Sequence, residues 1–198
     1  MDMLVVAGLL GSGKTSMIMS LVGRVHEETG KRAAIIVNDF GSVGVDGKVL
    51  EKQGMKVMEF WGGCICCTLG SYLLSTVRRV AEEMDPDYIV IEPSGIADPE
   101  SVLRTMDKYE GPAIDTIRTV VLIDASRFDI ISKALANPLA NQIKAAEIIL
   151  INKVDEVDDE VVQNIRDYLG EAGYAREVLE SSATEGTNLD QVYRTVFQ

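Results

Sequence analysis

Short runs of aliphatic and β-branched residues recur along the chain at Leu4 to Ala7, Ala33 to Val37, Tyr88 to Ile91, Thr119 to Ile123, Ile148 to Ile151 and Glu177 to Leu179. Most are apolar at successive positions rather than alternate ones, the pattern of a strand buried on both faces. Between them, apolar residues at helical spacing predict helices over 14–29, 69–84, 98–108, 126–134, 138–146, 158–171 and 187–197. Several of these open on Ser, Thr, Asp or Asn as caps. Strand and helix therefore alternate, which predicts an α/β fold with a mostly parallel sheet flanked by helices on both faces. Two stretches break the pattern: residues 38–56, rich in glycine and charge, and Glu92-Pro93-Ser94-Gly95-Ile96-Ala97-Asp98-Pro99. Loops of this kind at the carboxyl ends of parallel strands are where such sheets place ligands.

Composition changes this picture mainly by exclusion. The 198 residues are 46% hydrophobic and 25% charged, ordinary for a soluble globular domain, with no repeat or low-complexity tract. A single domain over residues 1–198 is expected. Asp and Glu outnumber Lys and Arg by 31 to 19, a net charge of −12 with the one histidine neutral. Such a chain repels phosphate backbones and anionic lipid, so neither nucleic acid nor membrane is expected as its main partner. No basic segment precedes the first apolar run, which is also too short to span a bilayer, so a cytoplasmic location is expected.

An acidic chain that binds an anion needs a local device, and Gly8-Leu9-Leu10-Gly11-Ser12-Gly13-Lys14-Thr15 supplies one between the first strand and the first helix. It fits the pattern G-x-x-x-x-G-K-[ST]. Its glycines let consecutive backbone N–H groups curl around phosphates, and the helix N-terminus adds its dipole. Gly8, Gly11, Ser12, Gly13, Lys14, Thr15 and Ser16 are thus candidate nucleotide-binding positions. Lys14 would reach the outer phosphates, and the Thr15 hydroxyl would ligate Mg²⁺.

Asn152-Lys153-Val154-Asp155 follows the strand ending at Ile151. A carboxylate at Asp155 can accept from both the ring N–H and the exocyclic amine of guanine, with Asn152 on the other edge of the base. Adenine would leave that carboxylate unpaired, so the motif selects GTP. Ser182 and Ala183, after the next strand, would offer a backbone N–H to the guanine oxygen. Asp39 and Glu92 each end a strand on the phosphate side, where a carboxylate can hold the magnesium shell and serve catalysis beside Lys14. Gly95 would aim its N–H at the terminal phosphate, so loss of that phosphate would release the loop. Asp124 also ends a strand, and its residue type fits a magnesium role and a structural one equally.

All three cysteines, Cys64, Cys66 and Cys67, fall in Trp61-Gly62-Gly63-Cys64-Ile65-Cys66-Cys67-Thr68, between the two candidate switch loops. C-x-C-C puts three thiolates within reach of one transition metal if the backbone turns, which the paired glycines permit. Three is one short of a closed tetrahedral site. Water, Glu59, a partner's donor or a second copy of the chain would complete it, and an open position suits transfer better than structural binding. His26, in the first helix, reads as a surface residue, and the acidic run 155–160 as a solvated helix start in which only Asp155 is functional.

With these motifs in place, the chain resembles the CobW-type branch of the P-loop GTPase metallochaperones, relatives of the nickel-inserting GTPases of hydrogenase and urease maturation. The resemblance rests on G-x-x-G-S-G-K-T, N-D-F-G-x-x-G-V-D at 38–46, G-G-C-I-C-C at 62–67, E-x-S-G-x-A-D-P at 92–99 and N-K-x-D at 152–155. It implies a P-loop NTPase fold, GTP and GDP as ligands with Mg²⁺, and slow intrinsic GTP hydrolysis. It also implies Zn²⁺ or Co²⁺ at Cys64, Cys66 and Cys67, delivered to a client metalloprotein or a cofactor pathway, with a nucleotide- or metal-dependent homodimer among the implied partners. Many members carry a second, C-terminal domain. Here the sequence stops one helix after Ser182-Ala183, so the GTPase domain alone is expected. Two other readings remain open at this point: a GTP-gated assembly factor for a metal- or corrinoid-dependent enzyme, with only a structural metal at the cysteines, and a small-molecule P-loop kinase.

Overall fold

The computed structural model describes residues 1–37, 56–59 and 69–197. Asp39 and the three cysteines Cys64, Cys66 and Cys67 lie outside the described residues, as does the side chain of Glu59.

The described chain forms seven strands: β1 (Asp2–Gly8), β2 (Ala33–Val37), β3 (Lys56–Glu59), β4 (Tyr88–Glu92), β5 (Ile117–Asp124), β6 (Ile148–Asn152) and β7 (Glu177–Ser181). Its helices are α1 (Lys14–Thr29), α2 (Leu69–Met84), α3 (Pro99–Met106), α4 (Phe128–Ala134), α5 (Ala136–Ala145), α6 (Asp159–Glu171) and α7 (Leu189–Phe197). Short 3-10 turns occupy Ala125–Arg127 and Val154–Glu156. All strand pairings are parallel, in the order β3-β2-β4-β1-β5-β6-β7. Six of these strands are the apolar runs of the sequence. The seventh, β3, falls at the end of the charged stretch 38–56 and, among the described residues, pairs with β2 alone, at the sheet edge. An edge strand needs no continuous apolar run, and Lys56-Val57-Met58-Glu59 carries the charged ends typical of one.

The alternation of side chains along each strand sorts the core into two layers. Leu4 and Val6 of β1, Ile35 of β2, Val90 of β4, Leu122 of β5 and Leu150 of β6 pack against α1 and α7. Their neighbours Met3, Val5, Ile36, Ile89 and Ile91 pack on the other face against α2 and α3, while Ala7, Val121, Ile123, Ile149 and Ile151 meet α4, α5 and α6. Helix ends follow local chemistry. Gly30, at φ 68°, closes α1 by donating to the His26 carbonyl, and the Asp98 side chain caps α3 by accepting from the Glu100 N–H with Pro99 following.

This order makes β1 central, with β4 on one side and β5 on the other. Successive connections run to opposite sides of β1, so a crevice opens at its carboxyl end, where the first loop lies. The register brings the other strand ends level. Val37 pairs with Glu92 and with Glu59, and Asp124, Asn152 and Ser181 align across β5, β6 and β7. Among the described residues, no helix is long and apolar enough to cross a membrane.

Ile149 is fully buried at the centre of this frame. Ile149→Ala should cost about 2–5 kcal/mol in denaturant unfolding, from lost burial and the cavity left behind.

Candidate functional site

The loop after β1 wraps the N-terminus of α1. Gly13 sits at φ 93°, a left-handed conformation that disfavours a side chain, and a Cβ there would collide with the Asn152 amide. Lys14, buried, donates from Nζ to the Gly8 carbonyl at 3.0 Å, and the same atom lies 4.0 Å from Glu92 Oε1. Thr15 Oγ1 donates to the Glu92 carboxylate, with both carboxylate oxygens at 3.0 Å. The lysine, the threonine and the strand-end glutamate picked out in the sequence therefore meet at one point. An ionised carboxylate beside a hydroxyl offers the hard oxygen donors that Mg²⁺ selects, so the residues present fit that ion.

A cavity of about 510 Å³ opens over this loop. Its walls include Gly11, Gly13, Lys14, Thr15 and the exposed Ser16 on one side, and Glu92, Ser94 and Gly95 on another. Gly95 lies so close to the phosphate loop that a Cβ on it would sit 2.7 Å from the Leu10 backbone nitrogen. The loop 93–98 is thus pressed against the phosphate loop, and only glycine permits that approach. Gln142 of α5 holds it from behind, donating from Nε2 to the carbonyls of Gly95 and Ala97, each at 3.2 Å.

The remaining wall is formed by Asn152, Lys153, Glu156, Ala183 and Thr184. Asn152, 1% exposed, donates from Nδ2 to the Ser12 carbonyl at 2.8 Å, and its Oδ1 accepts from the Ala183 N–H at 3.1 Å. A primary amide has two N–H donors, so a second remains for a ligand. Ser182 donates its N–H to the Thr187 carbonyl at 3.3 Å. Both backbone donors assigned to the guanine oxygen are thus engaged within the protein, and a base must share the one at Ala183 with Asn152. Asp155 is exposed in the 3-10 turn beside the cavity, whose wall takes its neighbour Glu156 instead.

Asp124 is structural. Its carboxylate accepts from Ser126 N–H at 3.1 Å and Oγ at 2.8 Å, from Arg127 Nε at 2.8 Å and from Lys153 Nζ at 2.8 Å. Arg127 then donates from Nη2 to the Leu10 carbonyl at 2.7 Å. Burial pushes the Asp124 carboxyl up, but the hydrogen bonds from Lys153, Ser126 and Arg127 outweigh it and hold the group below its ordinary value. Lys153, a candidate nucleotide ligand in the sequence, spends its ammonium on this brace while its residue lines the cavity. His26 lies on α1, away from the site, with Nδ1 3.3 Å from the Lys31 carbonyl.

Sequence reasoning missed Ser94, Gln142 and Arg127. A signal existed for Gln142: it occupies a core position of α5 beside the buried Leu139 and Ile143, where a polar residue demands a partner. Ser94 stands inside the E-x-S-G-x-A-D-P motif at 92–99, which marked the loop without giving that residue a role, and Arg127 carries no comparable pattern.

The family model for the CobW/HypB/UreG nucleotide-binding domain matches residues 2–180, from β1 to β7. The chain belongs to that family. It is 34% identical over 179 residues to the zinc chaperone YeiR of Escherichia coli K12, covering 89% of this chain and 53% of the relative. To the zinc chaperone CobW of a Sinorhizobium species it is 32% identical over 192 residues, covering 82% of this chain and again 53% of the relative. The chain thus spans about half the length of these curated relatives. Among solved structures it resembles HypB from Helicobacter pylori in complex with nickel, with a TM-score of 0.69 at 17% identity, over 98% of this chain and 85% of that one. That likeness shows the fold alone.

Since the Asp124 carboxyl titrates lower folded than unfolded, its contribution is present above its ordinary pKa and lost as pH falls through the folded value. Asp124→Asn should cost about 1–3 kcal/mol near neutrality and flatten the acid limb of stability below about pH 4, read by urea unfolding across pH.

Proposed function

We propose that this member of the CobW/HypB/UreG family binds and hydrolyses GTP and uses the cycle to load and release a transition metal for a client protein. The observation that carries the reading is the contact of Glu92 with Thr15 and Lys14, because it ties the end of β4 to the groups that would hold the phosphates. Sheet register extends that tie toward the cysteines. Glu59, which precedes the segment holding Cys64, Cys66 and Cys67, aligns with Val37, and Val37 with Glu92, two strand spacings or roughly 10 Å across. β3 therefore ends at the same edge of the sheet as the phosphate loop, and the cysteines follow Glu59 within eight positions of sequence. A nucleotide that draws on Lys14 and Thr15 would act on that edge.

Each group has a role in this reading. The backbone N–H groups of 11–15 and the Lys14 ammonium bind phosphate oxygens and stabilise the charge that develops on them during transfer. Thr15 and Glu92, with Asp39, hold Mg²⁺, which when bound neutralises phosphate charge. Asn152 and Asp155 recognise guanine, with Ser182 and Ala183 shaping the far side. The metal at Cys64, Cys66 and Cys67 is cargo, and we take it to be zinc, which both sequence relatives carry in their names. The domain acts in a soluble compartment on a client metalloprotein, and a second copy of the chain is a candidate donor of the missing metal ligand.

Metal titration of the protein with GDP and with a non-hydrolysable GTP analogue should give affinities differing by roughly 5- to 150-fold, and equal affinities would remove the coupling. GTP should be bound in preference to ATP. Asp155→Ala should weaken GTP binding by roughly ten- to a hundredfold without destabilising the exposed turn that carries it, as read by calorimetry and thermal melting.

A further inference from the structure

Ser94 is 8% exposed and its hydroxyl has no hydrogen-bond partner among the described residues, although the residue lines the cavity between Glu92 and Gly95. A buried hydroxyl left unpaired opposes folding, and such groups persist where a ligand completes the bond. Position decides which ligand. Ser94 stands two residues from the carboxylate that meets Lys14 and Thr15, and Gly95 presses on Leu10 of the phosphate loop, so this is the phosphate end of the cavity and not the base end.

Resting on the guanine-nucleotide reading above, we propose that Ser94 is a catalytic residue whose hydroxyl donates to an oxygen of the terminal phosphate of GTP, with Gln142 as the residue that positions it. Water attacks the terminal phosphorus, the bond to the bridging oxygen breaks with its electron pair leaving on GDP, and the proton of the water ends on the released phosphate. Ser94 stays protonated throughout and stabilises the transferring group. GDP lacks the group that Ser94 reads. Gln142, 1% exposed on α5, fixes the height of the loop by donating to the carbonyls of Gly95 and Ala97 while Leu10 blocks it from the front. Its own Oε1 is buried and has no partner among the described residues, so the side chain acts on the loop through its donor alone.

The test compares wild type, Ser94→Ala, Gln142→Met and the double variant for GDP affinity, for affinity to a non-hydrolysable GTP analogue, for single-turnover hydrolysis and for melting without nucleotide. Ser94→Ala should keep GDP affinity within about twofold, lose roughly ten- to a hundredfold in analogue binding or in hydrolysis, and melt no lower than wild type, because it removes an unpaired hydroxyl. Gln142→Met should slow hydrolysis at unchanged GDP affinity, and the double variant should lose no more than the worse single one. If methionine lowers the melting point, Gln142→Glu serves instead, being equal in size but setting an acceptor against the two carbonyls. Wild-type behaviour of Ser94→Ala, in a protein that binds both nucleotides, overturns the role of Ser94 and leaves the guanine reading standing. Additive losses overturn the positioning role of Gln142. A wild-type protein that binds neither nucleotide overturns both readings together.

Discussion

Glu92 meets the Thr15 hydroxyl at 3.0 Å and lies 4.0 Å from the Lys14 ammonium, and the arrangement of the carboxyl edge follows from that meeting. A carboxylate that is 8% exposed must be compensated by donors and positive charge, and here both come from the first residues of α1. The contact clamps β4 to the phosphate loop across the central strand. It also sets up a competition, since phosphate and metal would draw on the same ammonium and hydroxyl. In the proposed reading, a chain with a net charge of −12 would hold a polyanion through the buried Lys14, a run of amides and a carboxylate able to take a divalent ion.

The two halves of the edge are built differently. Beyond β5, the strand ends are cross-braced: Asn152 joins Ser12 to Ala183, and Asp124 gathers Ser126, Arg127 and Lys153, with Arg127 reaching on to Leu10. Most of these bonds are buried or partly so, which makes the base side stiff. On the β4 side, the loop 93–98 meets the phosphate loop through the close approach of Gly95 and is tied to α5 by Gln142, while its other bonds, from Ala97 N–H to the Ser94 carbonyl and at the Asp98 cap, are local. Two halves tied so differently can respond separately to a change in bonding at the cavity.

Most of this frame was legible in the sequence, for a physical reason. Strands covered on both faces must be apolar throughout, so six of the seven announced themselves, and α1 and α2 fall where periodicity set them. Strand β3 escaped because it pairs on one side alone among the described residues, and an edge strand asks little of its side chains. Motif residues Lys14, Thr15, Glu92 and Asn152 were legible because phosphate and base chemistry narrows the choice at each position. Arg127 was not, since it serves a backbone carbonyl whose neighbourhood exists only after folding, and for Gln142 the sequence signalled a need for a partner without showing which carbonyls supply it. The dual meaning of Asp124 in the sequence was resolved by three partners that lie on both sides of it in space.

The central place of β1 has a consequence for how the chain comes into being. Val5 is paired with Ile91 and Val6 with Val120, so β1, made before either neighbour, waits for partners encoded far downstream on both sides. During synthesis its apolar residues stay unsatisfied until β4 and then β5 have emerged, and such long-range parallel pairing closes slowly. The phosphate loop, rooted at the end of that strand, can take its shape only then. In the proposed reading, nucleotide binding would therefore be a late event in the life of the nascent chain, since the loop that takes the phosphates forms only after β5 has paired.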